Sequence, residues 1–460
     1  RGAASPDEVT PPCEHYRKDK CGGCVLQNYA YPAFLKAKHD LLLRRMKEYG
    51  LEGVDVSPPV PSPQPLGFHS RTEFRFFLRG GAQMGLHPAG SPVPIAISQC
   101  HLHPAASQRA FDATLAAVRG EAGAVPFDER TGKGWLCSAI FRAALRLGGG
   151  EEVVVTLVTL PGAPSDVLGK LGAAISERCP EVVGVTWSPE GGEPAVREAG
   201  WRSQGSVPHE VLAGRPFLTQ LVAGQRMEFA PEAFWRPNLL LAERLSEHIA
   251  ELCSEGIGSE GVVWDAFCGQ GLLGLRLLGT GRCGRVVALD RSPPALAALT
   301  RHAAACDGDL APRVQAELLD LGSPADVRAL WARLPDDASG GKWPPEDEDD
   351  EDDEEDVEAS TSVRAPTASA QVGEEPLPVP DVLIADPGRN GLPKIFRRFL
   401  FDLGVASIVY VGNGRSFLRD LVLLQRRGYE LVRVTPFDSN PHNARLENVA
   451  LLRWRGPPEA

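Results

Sequence analysis

Three kinds of chemistry-bearing residue stand out in this chain: clustered thiols, carboxylates that end apolar runs, and turns bracketed by glycine. Cys13, Cys21 and Cys24 lie together near the start. Ten cysteines in 460 residues are too sparse for a disulfide scaffold, so this clustering points to metal or cluster ligation in a reducing compartment. The run D-A-F-C-G-Q-G (265–271) follows an apolar stretch and leads into a helical one. Its glycines, Gly269 and Gly271, let the backbone approach a ligand, and a helix N-terminus favours a negative group. Asp290 ends the next apolar run, at the place where an acid accepts hydrogen bonds from ribose hydroxyls. The D-x-x-x-G-x-G form suits S-adenosylmethionine better than a dinucleotide, for which G-x-G-x-x-G is expected; the alternative is a tight turn with a packing role. In D-P-G-R-N-G-L (386–392), Asp386 is poised at a crevice edge and Arg389 is suited to phosphate or a base; the alternative for Asp386 is a helix N-cap. The turn in V-Y-V-G-N-G-R-S (409–416) occupies a similar place yet carries no nucleophilic thiol, and the last cysteine of the chain is Cys306.

These residues need a scaffold, and from about residue 259 the pattern supplies one. Apolar strands at 261–267, 285–290, 314–320, 381–387 and 406–412 alternate with helical stretches at 269–279, 293–306, 323–334, 394–404 and 416–428, and strands at 429–438 and 447–455 close the series. That alternation predicts an α/β fold with a mostly parallel, doubly wound, Rossmann-like sheet. Residues 66–228 read instead as a β-rich module with a helix at 106–119, and residues 27–49 read as a helix. The expected division is a cysteine-cluster segment (1–65), a β-rich central domain (66–228) and a C-terminal domain (229–460). Residues 336–379, rich in Pro, Asp, Glu, Ser and Thr, predict a disordered insertion in the last of these.

Here the chain resembles a known family, the S-adenosylmethionine-dependent RNA 5-methyluridine methyltransferases. C-E-H-Y-R-K-D-K-C-G-G-C-V-L-Q resembles the family's iron–sulfur segment. F-H-S-R-T-E-F (68–74) resembles its Y-R-N-K-x-E-F, and F-A-P-E-A-F-W-R-P-N (229–238) its F-x-Q-x-N. D-A-F-C-G-Q-G resembles its D-L-Y-C-G-x-G, and D-P-G-R-N-G-L its D-P-P-R-x-G-L. F-D-S-N-P-H-N-A-R-L-E-N-V (437–449) resembles the closing D-x-F-P-x-T-x-H-x-E-x-V. The matches run in order over nearly the whole chain. They imply a class I methyltransferase domain at the C-terminus and S-adenosylmethionine bound by Arg236, Phe267, Gly269, Gly271, Asp290, Asp320 and Asp386. They also imply a [4Fe–4S] cluster on Cys13, Cys21, Cys24 and Cys100, with zinc as the alternative for four thiolates. Phe267 replaces a tyrosine, Asp290 a glutamate and Arg236 a glutamine. Asp320 would lie near the adenine, and Glu447 takes the place of the base that removes a proton.

The resemblance also defines what is missing. C5 of uracil is a poor nucleophile; a thiolate adding at C6 creates an enolate that attacks the methyl sulfonium, after which a base removes the C5 proton and the thiolate leaves. The family's Y-V-S-C-N-P carries that thiol. Here the turn is one residue shorter, and neither Gly412 nor Asn413 can add to C6; Ser416 lacks an evident base. Two functions follow as expectations: an RNA (uracil-5-)-methyltransferase acting on tRNA or rRNA by a route other than the family's cysteine, or a catalytically inactive RNA-binding relative serving as a chaperone or assembly factor.

Net charge is −12, but residues 346–358 hold 12 acids, and the remainder has as many acids as bases. A neutral body carries a local basic face readily, and Arg389, Lys394, Arg397, Arg398, Arg415, Arg419, Arg426 and Arg427 are candidates for an RNA-contacting rim. The run 16–20 adds charge near the thiols. No apolar run is long enough for a membrane span. A soluble, intracellular monomer is the expectation, in a compartment the sequence does not specify; the chain begins at Arg1, so a start is expected to be missing.

Overall fold

The computed structural model describes residues 6–17, 21–88, 91, 93–145, 150–189, 210–222, 225–230, 236–306, 308, 310–335 and 375–457. Two large sheets organise them. The first contains β2 (Arg71–Leu78), β3 (Ala82–Leu86), β4 (Ile95–Ala96), β5 (Leu136–Leu145), β6 (Glu151–Thr159), β7 (Val182–Pro189) and β8 (Glu210–Gly214), in the spatial order β4-β3-β2-β5-β6-β7-β8. All its pairings are antiparallel except β6 with β7. That parallel pair needs a crossover, which is a helix at Ser165–Arg178. This helix was not foreseen, unlike its neighbour at Ala105–Gly120. Gly169 and Gly172 dilute its helical signature, yet Gly172 is there because a Cβ would lie 2.7 Å from Cβ of Leu212 on β8.

The second sheet holds β11 (Val262–Ala266), β12 (Arg285–Asp290), β13 (Val314–Leu318), β14 (Val382–Ala385), β15 (Ser407–Gly412), β16 (Tyr429–Phe437) and β17 (Glu447–Trp454), with the short β1 (Asp55–Val56) at its edge. The order is β1-β16-β17-β15-β14-β11-β12-β13. β11 to β15 are mutually parallel, and β17 runs antiparallel to β15 and β16. Strands covered on both faces must be apolar throughout, and β14 and β15 are buried at every position. Trp264, Leu383 and Tyr410 point into one apolar layer with Phe396, Phe399 and Phe417; their neighbours Val263, Ile384 and Val409 point into the other with Leu245, Ile249 and Leu275. The helix Lys394–Leu403 buries Phe396, Phe399 and Leu400 on one face, as the 3.6-residue period demands. Between the sheets, β9 (Leu218–Val222) and β10 (Gln225–Phe229) form a hairpin.

The helix Tyr31–Glu48 lies on the first of those apolar layers through Leu42 and Met46. It is pinned by a buried ion pair: Lys38 Nζ donates to Asp438 Oδ1 at 2.6 Å and to the Asn440 carbonyl at 3.0 Å, while Tyr31 donates to Asp438 Oδ2 at 2.9 Å. The Lys38 and Asp438 side chains are 1% and 0% exposed. Removing one partner of such a pair leaves an uncompensated charge in the interior. Lys38→Met is therefore expected to cost about 3 kcal/mol in urea denaturation, whereas Lys36→Met, whose partner Asp40 is exposed, should stay within about 0.5 kcal/mol of wild type.

The acidic insertion falls at 336–374, outside the described residues. Its expected end at 379 is corrected. Leu377 is 1% exposed and its N–H bonds the Arg333 carbonyl, Trp264 Nε1 donates to the Pro378 carbonyl at 3.0 Å, and Arg333 Nε donates to the Glu375 carbonyl. One apolar anchor and three hydrogen bonds order a segment whose average composition resembles the insertion. No described helix is long and apolar enough to cross a membrane.

Candidate active site

The strand order reverses between β11 and β14, with β12 and β13 on one side and β15 on the other. The loops leaving the carboxyl ends of β11, β12 and β14 diverge there, which opens the crevice where α/β proteins bind ligands. The loop after β11 is unusual. Phe267 adopts φ +62° and Gly269 and Gly271 adopt +55° and +83°. A bulky residue in the left-handed region is strained and is kept only where the surroundings enforce it; here the Phe267 ring packs edge-on against Phe396, with centroids 5.8 Å apart. Gly271 starts the helix Leu272–Gly279, and a Cβ on it would meet Leu299 at 2.1 Å.

Asp290 ends β12 as expected and fastens two turns. Its Oδ2 accepts from Gly269 N and its Oδ1 from Ser292 N, each at 2.8 Å. Burial holds its pKa above the usual carboxylate value, against the pull of these N–H groups. Carboxylate oxygens have further lone pairs, so ribose hydroxyls can still be accepted. Asp320 stands alongside, since Leu319 N donates to the Asp290 carbonyl; its Oδ1 accepts from Gly322 N at 2.9 Å.

Asp265, present in the first motif but not singled out from it, lies beneath this loop. It is 1% exposed; Oδ2 accepts from Gly274 N at 2.9 Å, and Oδ1 has no partner among the described residues. Burial raises its pKa to about 7, assisted by Asp386 and Asp290 and opposed by Gly274 N–H and Arg236. A carboxyl raised on folding is favoured in its protonated form, so its contribution is complete below the unfolded value and is lost as pH rises, here between about 4 and about 7. Asp265→Asn, which keeps the acceptor for Gly274, is expected to melt higher than wild type at pH 8 and to lose that advantage at pH 4.5. Equal melting temperatures at pH 8 would count against a strained carboxylate here.

The far wall joins three distant segments. Arg236, just before the helix Leu239–Ser254, donates through Nη2 to Asp386 Oδ2 and through Nη1 to Glu447 Oε1, and Ser439 Oγ donates to Glu447 Oε2. Asp386 is not a helix cap, because the following helix is capped at Pro393. Arg236 is 11% exposed; burial alone would lower its pKa, but Glu447 and Asp386 hold it above its ordinary value. Burial raises Asp386 and Glu447 adds to this, while Arg236 opposes both. The side chain expected to meet cofactor thus spans two carboxylates, one of them the expected base. Residues 231–235 of the same motif lie outside the described residues.

The turn after β15 sits against this bridge, with Gly412 paired to Asn448, the neighbour of Glu447. A Cβ at Gly412 would be 2.8 Å from Phe417, so the backbone passes too close to Phe417 for a side chain. Asn413 precedes the helix Gly414–Arg426. Ser416 is committed elsewhere, donating to the Arg389 carbonyl at 2.7 Å. Cys268 is held as a neutral thiol by burial and by Asp265 and Asp290. Asp420, which nothing in the sequence marks, fixes the D-P-G-R-N-G-L loop. It is 0% exposed and accepts from Leu392 N, Tyr410 and Arg397. Arg397 and Arg419 are therefore spent on Asp420, and Arg398 pairs with Asp402; the expected rim of eight cations is smaller than the count of residues suggests.

Cys13, Cys21, Cys24 and Cys100 are brought together. Burial, then Cys100 and Cys21, push the Cys24 thiol up to about 12, and burial, then Cys21 and Cys13, push Cys100 up to about 11. Gln27 bridges the group, donating to Cys24 Sγ at 3.3 Å and accepting from Cys13 N at 3.4 Å. Among the described residues, no three Cys, His, Asp or Glu side chains are close enough to hold a single metal ion.

No protein-family model matches the chain. It is 25% identical over 453 residues to a protein of Nitratidesulfovibrio vulgaris named an uncharacterized RNA methyltransferase, covering 97% of this chain and 83% of that one. A protein of the same description from Caldanaerobacter subterraneus is 24% identical over 454 residues, covering 97% and 86%. Among solved structures, the Pyrococcus abyssi tRNA (uracil-54, C5)-methyltransferase in complex with S-adenosyl-L-homocysteine superposes with a TM-score of 0.65 at 19% identity, over 98% of this chain and 87% of that one. With near-complete coverage on both sides, the chain is similar in sequence to proteins named RNA methyltransferases and shares the fold of a solved tRNA uracil-C5 methyltransferase.

Proposed function

We propose that the chain is an S-adenosylmethionine-dependent RNA methyltransferase of the uridine-C5 type, acting on tRNA or rRNA. The observation that carries this is the crevice at the strand reversal, where Asp290, Asp320, Asp386 and Glu447 converge around a glycine-bracketed loop. S-adenosylmethionine supplies an electrophilic methyl group when bound. Asp290 would hold its ribose, Asp320 would lie near the adenine, and Gly269 and Gly271 would let the backbone come close. Glu447, held by Arg236 and Ser439, would stand where the resemblance places the base. Transfer to C5 would run by a route other than the family's cysteine, since neither Gly412 nor Asn413 can add to C6.

A second reading, an RNA-binding relative without catalysis, is favoured by Gly412, whose contact with Phe417 leaves no room for a nucleophile. Calorimetric titration with S-adenosylmethionine, followed by nucleoside mass spectrometry of tRNA and rRNA incubated with protein and methyl donor, separates the two. Cofactor binding with a methylated nucleoside supports the first; RNA binding without cofactor uptake supports the second.

We further infer that the four gathered cysteines hold a [4Fe–4S] cluster rather than zinc. The reading rests on the resemblance of the segment to the family's iron–sulfur segment and on the mutual electrostatic influence of the four thiols. The cluster's thiolates would tie the N-terminal segment to the first sheet. Anaerobic reconstitution should load about four irons per chain with broad visible absorbance, and Cys24→Ser should lose it. Stoichiometric zinc in place of iron would overturn this assignment.

A further inference from the structure

We propose that Arg389 and Arg445 form a seat for one backbone phosphate of the RNA at the mouth of the crevice. This rests on the RNA reading above and specifies where the strand is held. The Arg236 bridge fixes the geometry. Because one guanidinium binds both Asp386 and Glu447, the segments that follow the first and precede the second flank the same opening. Arg389 lies three residues beyond Asp386 and Arg445 two before Glu447, and both are exposed.

Neither position is a loose surface arginine. The Arg389 backbone is clamped by Ser416 at its carbonyl; Arg419 Nη2 donates to the next carbonyl, of Asn390, at 3.2 Å; Leu392 N is bound by Asp420 at 2.7 Å. Arg445 N–H donates to Asn443 Oδ1 at 3.3 Å, and buried Leu446 follows it. The Arg445 guanidinium meets no hydrogen-bond or ion-pair partner among the described residues. The two cations also sense each other: partial burial, and then the charge of Arg445, hold Arg389 below its ordinary pKa. Two like charges drawn together on stiff supports cost free energy in the empty protein, and an anion between them relieves it. Guanidinium forks match phosphate oxygens in geometry as well as charge. A phosphodiester seated here would leave its nucleotide facing Asp386 and Glu447.

The test uses the full chain and a fluorescein-labelled single-stranded RNA, with binding measured across a series of NaCl concentrations. Arg445→Gln is expected to weaken binding roughly tenfold at low salt and to reduce the slope of log K against log[salt] by about 0.7, the loss of one phosphate contact. Arg389→Gln should do the same. The double variant should lose little more slope than either single one, because both arginines serve one phosphate. Arg398→Gln, at a residue paired with Asp402, should leave the slope unchanged. Inorganic phosphate at matched ionic strength should not displace the RNA; if it does so at the wild-type protein but not at Arg445→Gln, the seat takes free phosphate, and its assignment to RNA is overturned. An unchanged slope in Arg445→Gln with wild-type RNA binding intact overturns the seat alone. Absence of RNA binding by wild type overturns both the seat and the RNA reading.

Discussion

Arg236→Met is expected to cost about 5 kcal/mol of folding stability at pH 8, one of the two largest effects foreseen for a single side chain here. The guanidinium stands between Asp386 and Glu447, and without it two carboxylates share a poorly hydrated crevice with no counter-charge. Like charges so placed cannot both stay ionised cheaply, so at least one takes up a proton and its folded-state pKa rises. Burial and Glu447 already raise Asp386 against the opposing pull of Arg236. A carboxyl raised in the folded state contributes stability at low pH that is lost as pH increases. The deficit of the variant should therefore shrink between pH 8 and pH 5. Urea denaturation at the two pH values reads this directly. Wild-type stability at pH 8 would mean that the three side chains do not form one bridge in solution.

The other large effect concerns the methyl donor. Asp290→Ala should weaken S-adenosylmethionine binding by roughly 100-fold or more, since each hydrogen bond from a ribose hydroxyl to a charged acceptor contributes about 1.5–3 kcal/mol. The loss would have a second source: the same carboxylate holds Gly269 N and Ser292 N, so the glycine-bracketed loop is released as well. Asp290→Asn should fall between, because an amide oxygen still accepts from one of these N–H groups. Calorimetry decides it, and a dissociation constant unchanged in Asp290→Ala would place the ribose elsewhere.

Much of the site was legible because its chemistry is local. Gly269, Gly271, Asp290 and Asp386 lie at the ends of apolar strands, and a strand's end can be found from composition alone. Asp265 was visible in the same motif, but its burial was not, since a motif does not say which carboxylate faces solvent. Residues 375–379 were assigned to the insertion because composition averages over a window, while one leucine in the core, Leu377, decides whether a segment is ordered. The helix Ser165–Arg178 was missed because its glycines answer to a neighbour on another strand, Leu212.

By itself the sequence determined the doubly wound sheet, the glycine-bracketed turn after its strand 262–266 and the absence of a thiol from the turn at 412–415. Each depends on residues near one another in the chain, through periodicity, turn conformation or plain identity. Only the tertiary structure decided that Arg236 spans Asp386 and Glu447, that Asp420 consumes two of the expected rim arginines, and that Arg389 lies within electrostatic reach of Arg445. These partners are separated by up to 211 positions. Which charge meets which is set by the order in which strands assemble, and no local pattern records that order.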